Sequence, residues 1–390
     1  MKILFVLNNF YTKGNGLVAS AQRTVKKLIE AGEEVKILSA PNKDKDGPQP
    51  DFQLEDFHLP IVDGLVTKQG YSFSNTDQEI ITKAVEWADV VHLDEPFAVQ
   101  MVAGRIAKKM GKPITGTYHL HPENLFASVG LGHDILINYI TFTLWKKTVF
   151  NRCDILQCPT QNVYERLRRH HVKAELRVIS NGLVLEDLMR RSDKDTSIKI
   201  SEAKYNIITI GRYSNEKNLK TLLKAMKYSK YSKDIQLIIA GQGPKEKALR
   251  KLADKMLKKG YIKYPPLFGF YKLDELQKFS SAADLYVHCA YIEVEGLSCM
   301  EAIQIGLVPI IAEGKYTATS QFALSKESIY KQRKPKDLAS KIDYWFDNDE
   351  LRKEEAKKYI GIGEKYNIDY SITQLRKMFK DAYDKHHKKG

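Results

Sequence analysis

The sequence predicts an α/β fold of two doubly wound parallel-sheet domains with a cleft between them. The chain has 390 residues, which is too long for one compact core and suits two α/β domains of ordinary size. Short apolar runs alternate along it with segments of helical periodicity, the pattern of parallel strands joined by helices. A polar stretch without periodicity, 187–204, separates two such cycles and is the predicted linker.

The first cycle, residues 1–186, predicts a Rossmann-like domain. A helical segment, Val18–Ala31, follows the first apolar run and ends at Gly32. The apolar runs are typical of strands buried on both faces. The predicted strands are Lys2–Leu7, Glu34–Ser39, Val90–His92, Pro113–Thr117 and Ile155–Pro159.

The second cycle, residues 205–365, repeats this architecture. The predicted helices are Leu219–Met226, Lys245–Lys259 and a third that starts at Glu301 and stops at Gly306. The predicted strands are Tyr205–Ile210, Ile235–Ala240, Leu285–His288 and Val308–Ala312.

Composition indicates a folded protein that does not cross a membrane. Apolar residues make up 43% and charged residues 28% of the chain, and no apolar run approaches the roughly eighteen residues that span a bilayer. The N-terminal apolar run stops at Asn8, which favours a buried strand over a signal peptide, so we expect a cytoplasmic protein. Without Cys-x-x-Cys spacing, buried apolar roles are expected for the cysteines, Cys153, Cys158, Cys289 and Cys299.

The net charge of +14 requires an anionic partner or a functional reason. Nucleic acid, anionic lipid and small anions all fit, and charge alone does not choose among them. A nucleic-acid-binding protein therefore stays an alternative, although no recognised motif supports it.

Two loops that follow predicted strands carry the strongest chemical signals. In open α/β sheets, ligands bind at the carboxyl ends of strands. Gly211–Asn218 places Arg212 and Lys217 on one such loop, and a guanidinium with an ammonium suits a diphosphate. Taken alone, a solvated basic loop is the simpler interpretation.

The second loop carries two acids on either side of a glycine. Glu293 and Glu301 are separated by seven residues, and Gly296 allows backbone N–H groups to approach a ligand. Glu301 is expected in the first turn of the next helix, where a carboxylate can accept two vicinal hydroxyls of a ribose.

These motifs together resemble the retaining glycosyltransferases of family four, which have the GT-B fold. The resemblance covers nearly the whole chain, and the ordered set is far more specific than any one motif. Its elements are Gly211–Asn218, Gly241–Gly243, Ala283–Cys289, Glu293–Ala302 and Gly306–Ile311.

The resemblance implies roles for individual residues. Arg212 and Lys217 would bind the donor diphosphate, Glu293 the donor sugar and Glu301 the ribose. It also implies that a C-terminal helix, about 366–390, completes the N-terminal domain. Val294 and Glu295 depart from the family pattern and place a third acid near the donor sugar. The other donor-binding residues implied are Gly16, Gly211, Gly243, Gly296, Leu297 and Ser298.

The N-terminal domain supplies the acceptor features of this resemblance. The loop Lys13–Gly16 follows the first strand, and Asn15 is expected near the acceptor; Ala19 replaces the third glycine of a dinucleotide fingerprint, which counts against NAD. The segment 117–124 resembles the family's active-site histidine segment, so His119 is expected to be catalytic. His121 is left open as an active-site residue and is expected near the acceptor. The family's His-x-His is reduced to His92-Leu93-Asp94.

The chemistry implied is front-face attack by an acceptor hydroxyl, without an enzymic nucleophile. His119, Arg212, Lys217 and Glu293 would be the catalytic residues, and their main task is to stabilise the departing diphosphate. No metal is expected to be needed. The Asp-x-Asp triplets are interpreted as solvated turns; they begin at Asp44, Asp193 and Asp347.

The acceptor is the least determined part. The segment Leu125–Arg152 combines an apolar face with basic residues, which fits either an interfacial membrane helix or a core helix. The resemblance to members that glycosylate diacylglycerol or related lipids favours transfer of a hexose from a UDP-sugar to diacylglycerol or a ceramide-type lipid, giving an α-glycolipid. Trp145, Lys146 and Lys147 would then dock on an anionic membrane, on its inner face.

Other readings of the function stay open. A soluble or polysaccharide acceptor is the first alternative within the family. A sugar-nucleotide epimerase or a phosphorylase is an alternative on the same fold, but nothing marks the pyridoxal-binding lysine that phosphorylases of similar fold need.

Overall fold

The computed structural model describes residues 1–12, 16–57, 73–127, 130–132, 134–185, 188 and 200–387. It divides into two compact units. Unit 1 is Met1–Gly182 with Ile368–Gly390, and unit 2 is Leu183–Asn367. Most of the expected linker, 187–204, lies outside the described residues.

The described strands of unit 1 are β1 (Lys2–Val6), β2 (Glu34–Ser39), β3 (Phe52–Gln53), β4 (Asp56–Phe57), β5 (Phe73–Ser74), β6 (Val90–Leu93), β7 (Ile114–Thr117), β8 (Ile155–Cys158) and β9 (Glu175–Val178). Seven of them form a parallel sheet in the order β3-β2-β1-β6-β7-β8-β9. A short antiparallel pair, β4 with β5, lies outside this sheet. The helices between them are α1 (Gly16–Glu30), α2 (Gln78–Trp87), α3 (Ala98–Lys109), α4 (Pro122–Ala127), α5 (Ile135–Thr148) and α6 (Gln161–Arg169).

The described strands of unit 2 are β10 (Tyr205–Ile210), β11 (Ile235–Ala240), β12 (Leu267–Gly269), β13 (Leu285–His288), β14 (Ile292–Glu293), β15 (Val308–Glu313), β16 (Tyr316–Thr317) and β17 (Ile329–Lys331). Six of them form a parallel sheet in the order β12-β11-β10-β13-β15-β17. A short parallel pair, β14 with β16, lies outside this sheet. The helices are α7 (Lys220–Ala225), α8 (Glu246–Lys258), α9 (Leu273–Ala282), α10 (Leu297–Gln304), α11 (Pro335–Asp347) and α12 (Asp349–Gly363).

The last helix, α13 (Ile368–His387), packs within unit 1. It contacts α1, β6 and β7, and Arg376 Nε donates to Glu33 at 2.6 Å. Phe379 lies edge-on to Phe5, with ring centroids 6.4 Å apart. The chain therefore returns at its C-terminus to cover the first sheet.

The apolar runs of the sequence become the two cores for a simple reason. Central parallel strands are covered on both faces, so every residue of β6, β7, β8, β11 and β13 is buried. All four cysteines are free and buried, as expected. Among the described residues, no helix is both long and apolar enough to cross a membrane.

Candidate active site

Two loops of unit 2 are pressed together at the carboxyl ends of β10 and β11. Tyr213 N–H donates to Gln242 O at 2.9 Å, and Lys245 N–H donates to Tyr213 O at 2.9 Å. A Cβ on Gly243 would lie 2.8 Å from Tyr213 O, and one on Gly241 would lie 2.0 Å from Gly211 O. The Gly-x-Gly motif is therefore required by backbone packing, which holds the loop after β10 in place.

The loop after β10 turns sharply at Asn218 before entering α7. Asn218 has a φ of 49°, in the left-handed region that asparagine tolerates better than most residues, and its Nδ2 donates to Thr221 Oγ1 at 2.8 Å. Tyr291 N–H donates to Glu216 O at 3.0 Å, which ties this loop to the segment after β13. These contacts place Lys217 opposite Glu293.

A chain of polar contacts runs from Lys217 through the end of β13 to α10. Lys217 Nζ donates to Glu293 Oε2, and His288 Nε2 lies 3.5 Å from the same oxygen. Tyr286 OH lies 3.1 Å from His288 Nδ1 and 3.0 Å from Ser298 Oγ. The sequence-predicted residues Lys217, Glu293 and Ser298 are thus joined in one cluster.

The cluster keeps Glu293 ionised. Burial alone would raise the pKa of Glu293, but Lys217 and His288 lower it to about 2. Burial lowers the pKa of His288 and raises that of Tyr286 well above its ordinary value. The arrangement is one carboxylate neutralised by one ammonium, with neutral groups behind it.

Gly296 starts α10 earlier than the sequence predicted. It has a φ of 88°, and a Cβ there would lie 2.1 Å from Thr319 Cγ2, so glycine is required on both counts. Because the helix begins at Leu297, the prediction that Glu301 lies in its first turn is wrong. The first amides of the helix belong instead to Leu297 and Ser298, which suits them to an anion.

The remaining predicted donor-site residues are distributed over both units. Arg212 and Glu301 are half-buried in unit 2, on the loop after β10 and on α10. Glu295, the additional acid, is buried at 3% exposure. Gly16 opens α1 in unit 1, where a Cβ would meet open space, whereas Asn15 and the rest of its loop lie outside the described residues.

Unit 1 holds a second polar cluster, at the ends of β6 and β7. Asp94 Oδ1 lies 3.2 Å from His92 Nε2 and 3.3 Å from His119 Nε2. His92 also contacts Thr115 Oγ1 at 2.9 Å and Thr117 Oγ1 at 3.0 Å. Sequence reasoning treated Asp94 as a reduced motif, and the structure shows that it is the centre of the cluster.

Two adjacent acids in this cluster have opposite pKa shifts. Burial would raise the pKa of Asp94, but His119 and His92 hold it well below its usual range. Burial raises the pKa of Glu95, whose Oε2 accepts from Asn8 N–H at 2.7 Å and from Asn8 Nδ2 at 2.8 Å. Asp94 therefore interacts with the two histidines, and Glu95 hydrogen-bonds to the loop after β1.

His121, left open by the sequence, is fully buried in unit 1. Its Nδ1 lies 2.9 Å from Tyr118 OH, and its backbone N–H donates to Asn124 Oδ1 at 3.1 Å. Nearby, Arg166 Nη2 donates to both carboxylate oxygens of Glu123 at 2.9 and 3.0 Å. His121 is thus packed into the core next to the start of α4, a position that favours a structural role over contact with the acceptor.

The helix α5 resolves the ambiguity of the segment Leu125–Arg152 into two faces. Trp145 is 3% exposed and lies edge-on to Phe97 at 5.9 Å between ring centroids, so its expected membrane contact is wrong. Lys146 Nζ donates to His170 O at 3.0 Å, and Lys147 is exposed. The opposite face exposes apolar side chains at Ile135, Leu136, Tyr139, Ile140 and Leu144.

The expected solvated Asp-x-Asp turns differ from one another in the structure. Asp347 accepts from Lys230 at 2.8 Å, and Asp349 pairs with Lys353 at 2.9 Å, so both lie in surface ion pairs. Asp44 lies in a turn, and the triplet at Asp193 is outside the described residues. Within the described ranges, no cluster of three or more His, Cys, Asp or Glu side chains is arranged to hold a metal.

Comparison with known proteins now identifies the class. Residues 191–360 match the family model described as glycosyl transferases group 1, and residues 14–187 match glycosyltransferase family 4. The chain is 23% identical over 323 residues to alpha-monoglucosyldiacylglycerol synthase of Streptococcus pneumoniae, covering 80% of this chain and 71% of that protein. It is 24% identical to the enzyme of that name from Acholeplasma laidlawii, covering 76% of each chain.

The fold is shared with solved structures at low identity. Anabaena HepE, crystallised with UDP and glucose, superposes with a TM-score of 0.74 at 14% identity, covering 98% of this chain and 100% of that one. The protein is therefore a glycosyltransferase of the GT-B fold. It belongs to family four and is a hexosyltransferase, and a retaining mechanism is consistent with that family.

Sequence reasoning missed two members of the unit 2 cluster. Tyr286 and His288 were noted only as part of a strand motif, although their alternation on β13 places both side chains on one face. A histidine at the end of an otherwise apolar buried strand was the available signal, because buried imidazoles need partners.

Proposed function

We propose that this enzyme transfers a hexose from a nucleotide sugar, UDP-linked, to a lipid acceptor such as diacylglycerol or a ceramide-type lipid, with retention at the anomeric carbon. The product is an α-glycolipid. The observation that carries the lipid acceptor is the exposed apolar face of α5, and the two monoglucosyldiacylglycerol synthases among the relatives support it.

Unit 2 is the donor-binding unit in this proposal. The diphosphate is bound by Lys217, Arg212 and the first amides of α10, and Glu293 accepts hydrogen bonds from the sugar hydroxyls. Lys217 and Glu293 form an ion pair and neutralise each other. The nucleotide sugar supplies a diphosphate anion for Lys217 and hydroxyl groups that donate hydrogen bonds to Glu293. Neither charged side chain is therefore left unpaired when the ligand replaces the ion pair. Glu301 binds the ribose.

The chemical step is displacement of the nucleoside diphosphate. The acceptor oxygen forms a bond to the anomeric carbon on the face from which the leaving oxygen departs, and a phosphate oxygen takes the acceptor's proton. Lys217 and Arg212 stabilise the negative charge that grows on the diphosphate as the glycosidic bond breaks, so their effect is largest in the transition state. These two cations make a divalent metal unnecessary in the mechanism.

Unit 1 binds the acceptor and docks on the membrane through α5. Its five exposed apolar side chains range from 50% exposed at Leu144 to 84% at Ile135, a wide apolar surface for a protein in water. Their spacing places them on one side of the helix, while Asn138, Phe142 and Trp145 on the other side are buried. The helix is anchored by one face and free to enter a lipid surface with the other.

Basic groups lie at the C-terminal end of the same helix. Lys147 is exposed, and the bond from Lys146 to His170 O brings the end of α6 beside it, with exposed Arg168 and Arg169. Each lysine or arginine near an anionic membrane contributes roughly 1 kcal/mol. The proposed docking is therefore peripheral, reversible and weakened by salt.

Identification of the reaction product tests the proposal. The protein is incubated with a panel of UDP- and GDP-sugars and a membrane lipid extract, and new glycolipids are identified by mass. A glycolipid with an α-linked hexose is expected. Transfer to soluble sugars or polysaccharide alone, with no lipid product from any donor, would contradict the lipid acceptor.

The docking face is tested by replacing Ile135, Leu136 and Ile140 together with serine. Binding to anionic vesicles and transfer to lipid should fall, whereas donor hydrolysis in water should persist. The matched control is Trp145→Ala on the buried face, which should lower stability by about 3–5 kcal/mol and depress both activities together. A triple variant that binds vesicles like the wild type would rule out this face.

A further inference from the structure

The contact between Asp94 and His119 is built by the sheet of unit 1. Asp94 directly follows β6 and His119 comes two residues after β7, and these two strands pair in parallel. Asp94 is 2% exposed, and its Oδ1 lies 3.3 Å from His119 Nε2. Because both residues leave neighbouring strand ends, the backbone determines their separation.

His92 braces the carboxylate from the strand side. Its Nε2 lies 3.2 Å from Asp94 Oδ1, and its ring is held by Thr115 and Thr117. Phe5 and Phe379 pack on the same ring, with centroids 4.7 and 5.4 Å away. Glu95 is a second buried acid close to this group, and its Oε2 accepts from Asn8 and from Gln100 Nε2 at 3.4 Å.

Asp94 is costly for a purely structural residue. Within the described residues, no protein group hydrogen-bonds to its buried Oδ2. A buried carboxylate oxygen without a partner costs free energy, and a structural role would be served better by an amide or an apolar side chain. Its position beside His119 points to a functional reason.

We propose that Asp94 is a positioning residue for His119, accepting a hydrogen bond from Nε2–H and so directing Nδ1 toward the substrate. The inference rests on the assignment of His119 to the active site in the proposed function. Asp94 touches no reacting atom itself. It selects one ring orientation and one tautomer, since a proton on Nε2 leaves Nδ1 as the nitrogen that faces a substrate group.

A double-mutant cycle on the full-length enzyme tests this coupling. Asp94→Asn preserves the shape and removes the charge, and it should lower kcat about 10-fold to 100-fold while changing the donor KM little. In a His119→Ala background, the same change should lower kcat by less than about 2-fold, because residues that act as a unit are not additive. If the two losses multiply, the proposal is wrong.

Glu95→Gln is the matched control. It alters the adjacent buried carboxylate, whose hydrogen bonds bypass His119, so its loss of rate should multiply with that of His119→Ala. Non-additivity of the same size in this control would contradict a specific role for Asp94. The cycle is run on donor hydrolysis as well as on lipid transfer, so failure of the lipid acceptor does not affect it.

A readout independent of activity completes the test. In ¹⁵N-histidine-labelled wild-type protein, the His119 ring signals are identified by their loss in His119→Gln. The proposal expects a proton on Nε2. Neutral His119 with its proton on Nδ1 alone would overturn the proposal, even in a preparation that transfers no sugar.

Discussion

The two units carry polar clusters that look alike but are held differently. Each has a carboxylate beside a histidine at the end of central parallel strands, Glu293 with His288 in unit 2 and Asp94 with His92 in unit 1. In unit 2, the charge balance comes from Lys217, a side chain 22% exposed on a loop. In unit 1, Asp94 lies between two imidazoles, and the cluster lies almost wholly out of solvent.

This difference separates binding from positioning. A lysine on a loop can give up a carboxylate when a ligand offers a better partner, so the Lys217–Glu293 pair is suited to exchange. A buried carboxylate held between His92 on β6 and His119 just after β7 has no such freedom, so Asp94 is suited to fix the orientation of another side chain.

Removing the cation of the exchangeable pair should have the largest effect. Lys217→Ala deletes charge that acts mainly in the transition state, so kcat for donor cleavage should fall about 10²-fold to 10³-fold, more than donor affinity. Arg212→Ala should act in the same direction. Release of nucleoside diphosphate measures both. The control is Lys220→Ala, which alters an exposed lysine at the start of α7. If Lys217→Ala and Arg212→Ala released nucleoside diphosphate as fast as this control, the donor-site assignment would be wrong.

Glu301→Ala should weaken binding more than turnover, in contrast to Lys217. The loss of charged hydrogen bonds to a ribose should raise the Kd for UDP about 10-fold, measured by calorimetry. Glu354→Ala, an exposed acid on α12, should leave this Kd unchanged. If turnover fell steeply while UDP binding stayed normal, Glu301 would have a role other than ribose recognition.

Lowering the pH should destabilise the folded protein over a different pH range for each of the two carboxylates, Glu293 and Asp94, because the pKa of each is lowered in the folded state. A group whose pKa is lower in the folded state stabilises the protein above its unfolded pKa, and that contribution is lost as the pH falls through the folded value. For Glu293 the loss should run from its ordinary value of 4.5 down to about 2, so Glu293→Gln should flatten the stability curve there.

Urea unfolding between pH 6 and pH 2 measures this effect. Asp94→Asn should flatten the curve as well, with the loss in the wild type continuing to lower pH, since the pKa of Asp94 is held lower still. Curves for both variants that run parallel to the wild type would show that neither carboxylate is held ionised by its neighbours.

Chelation should have the smallest effect. Because Lys217 and Arg212 supply the positive charge at the diphosphate, EDTA should change the rate by less than about 2-fold. Complete loss of activity with EDTA and its restoration by manganese would show that a divalent cation shares the task of the exchangeable pair.

Much of the fold was predictable because its signals are local. The strands Tyr205–Ile210, Ile235–Ala240 and Leu285–His288 have the predicted bounds, since a short apolar run bounded by polar residues has few other stable arrangements. Helix starts were less predictable. The start of α10 was placed four residues late, because it depends on the left-handed turn of Gly296 against Thr319.

The sequence was enough to predict the order of strands and helices and the residue types at the strand ends, including Lys217, Glu293 and His119. The tertiary structure was needed to show which of these residues meet and which face water. The apolar residues of α5 are spread around the helix, so periodicity could not distinguish the buried Trp145 from the exposed Ile135. Asp94 reaches His119 because β6 and β7 pair in register. Contacts between distant residues depend on that pairing, which local sequence does not encode.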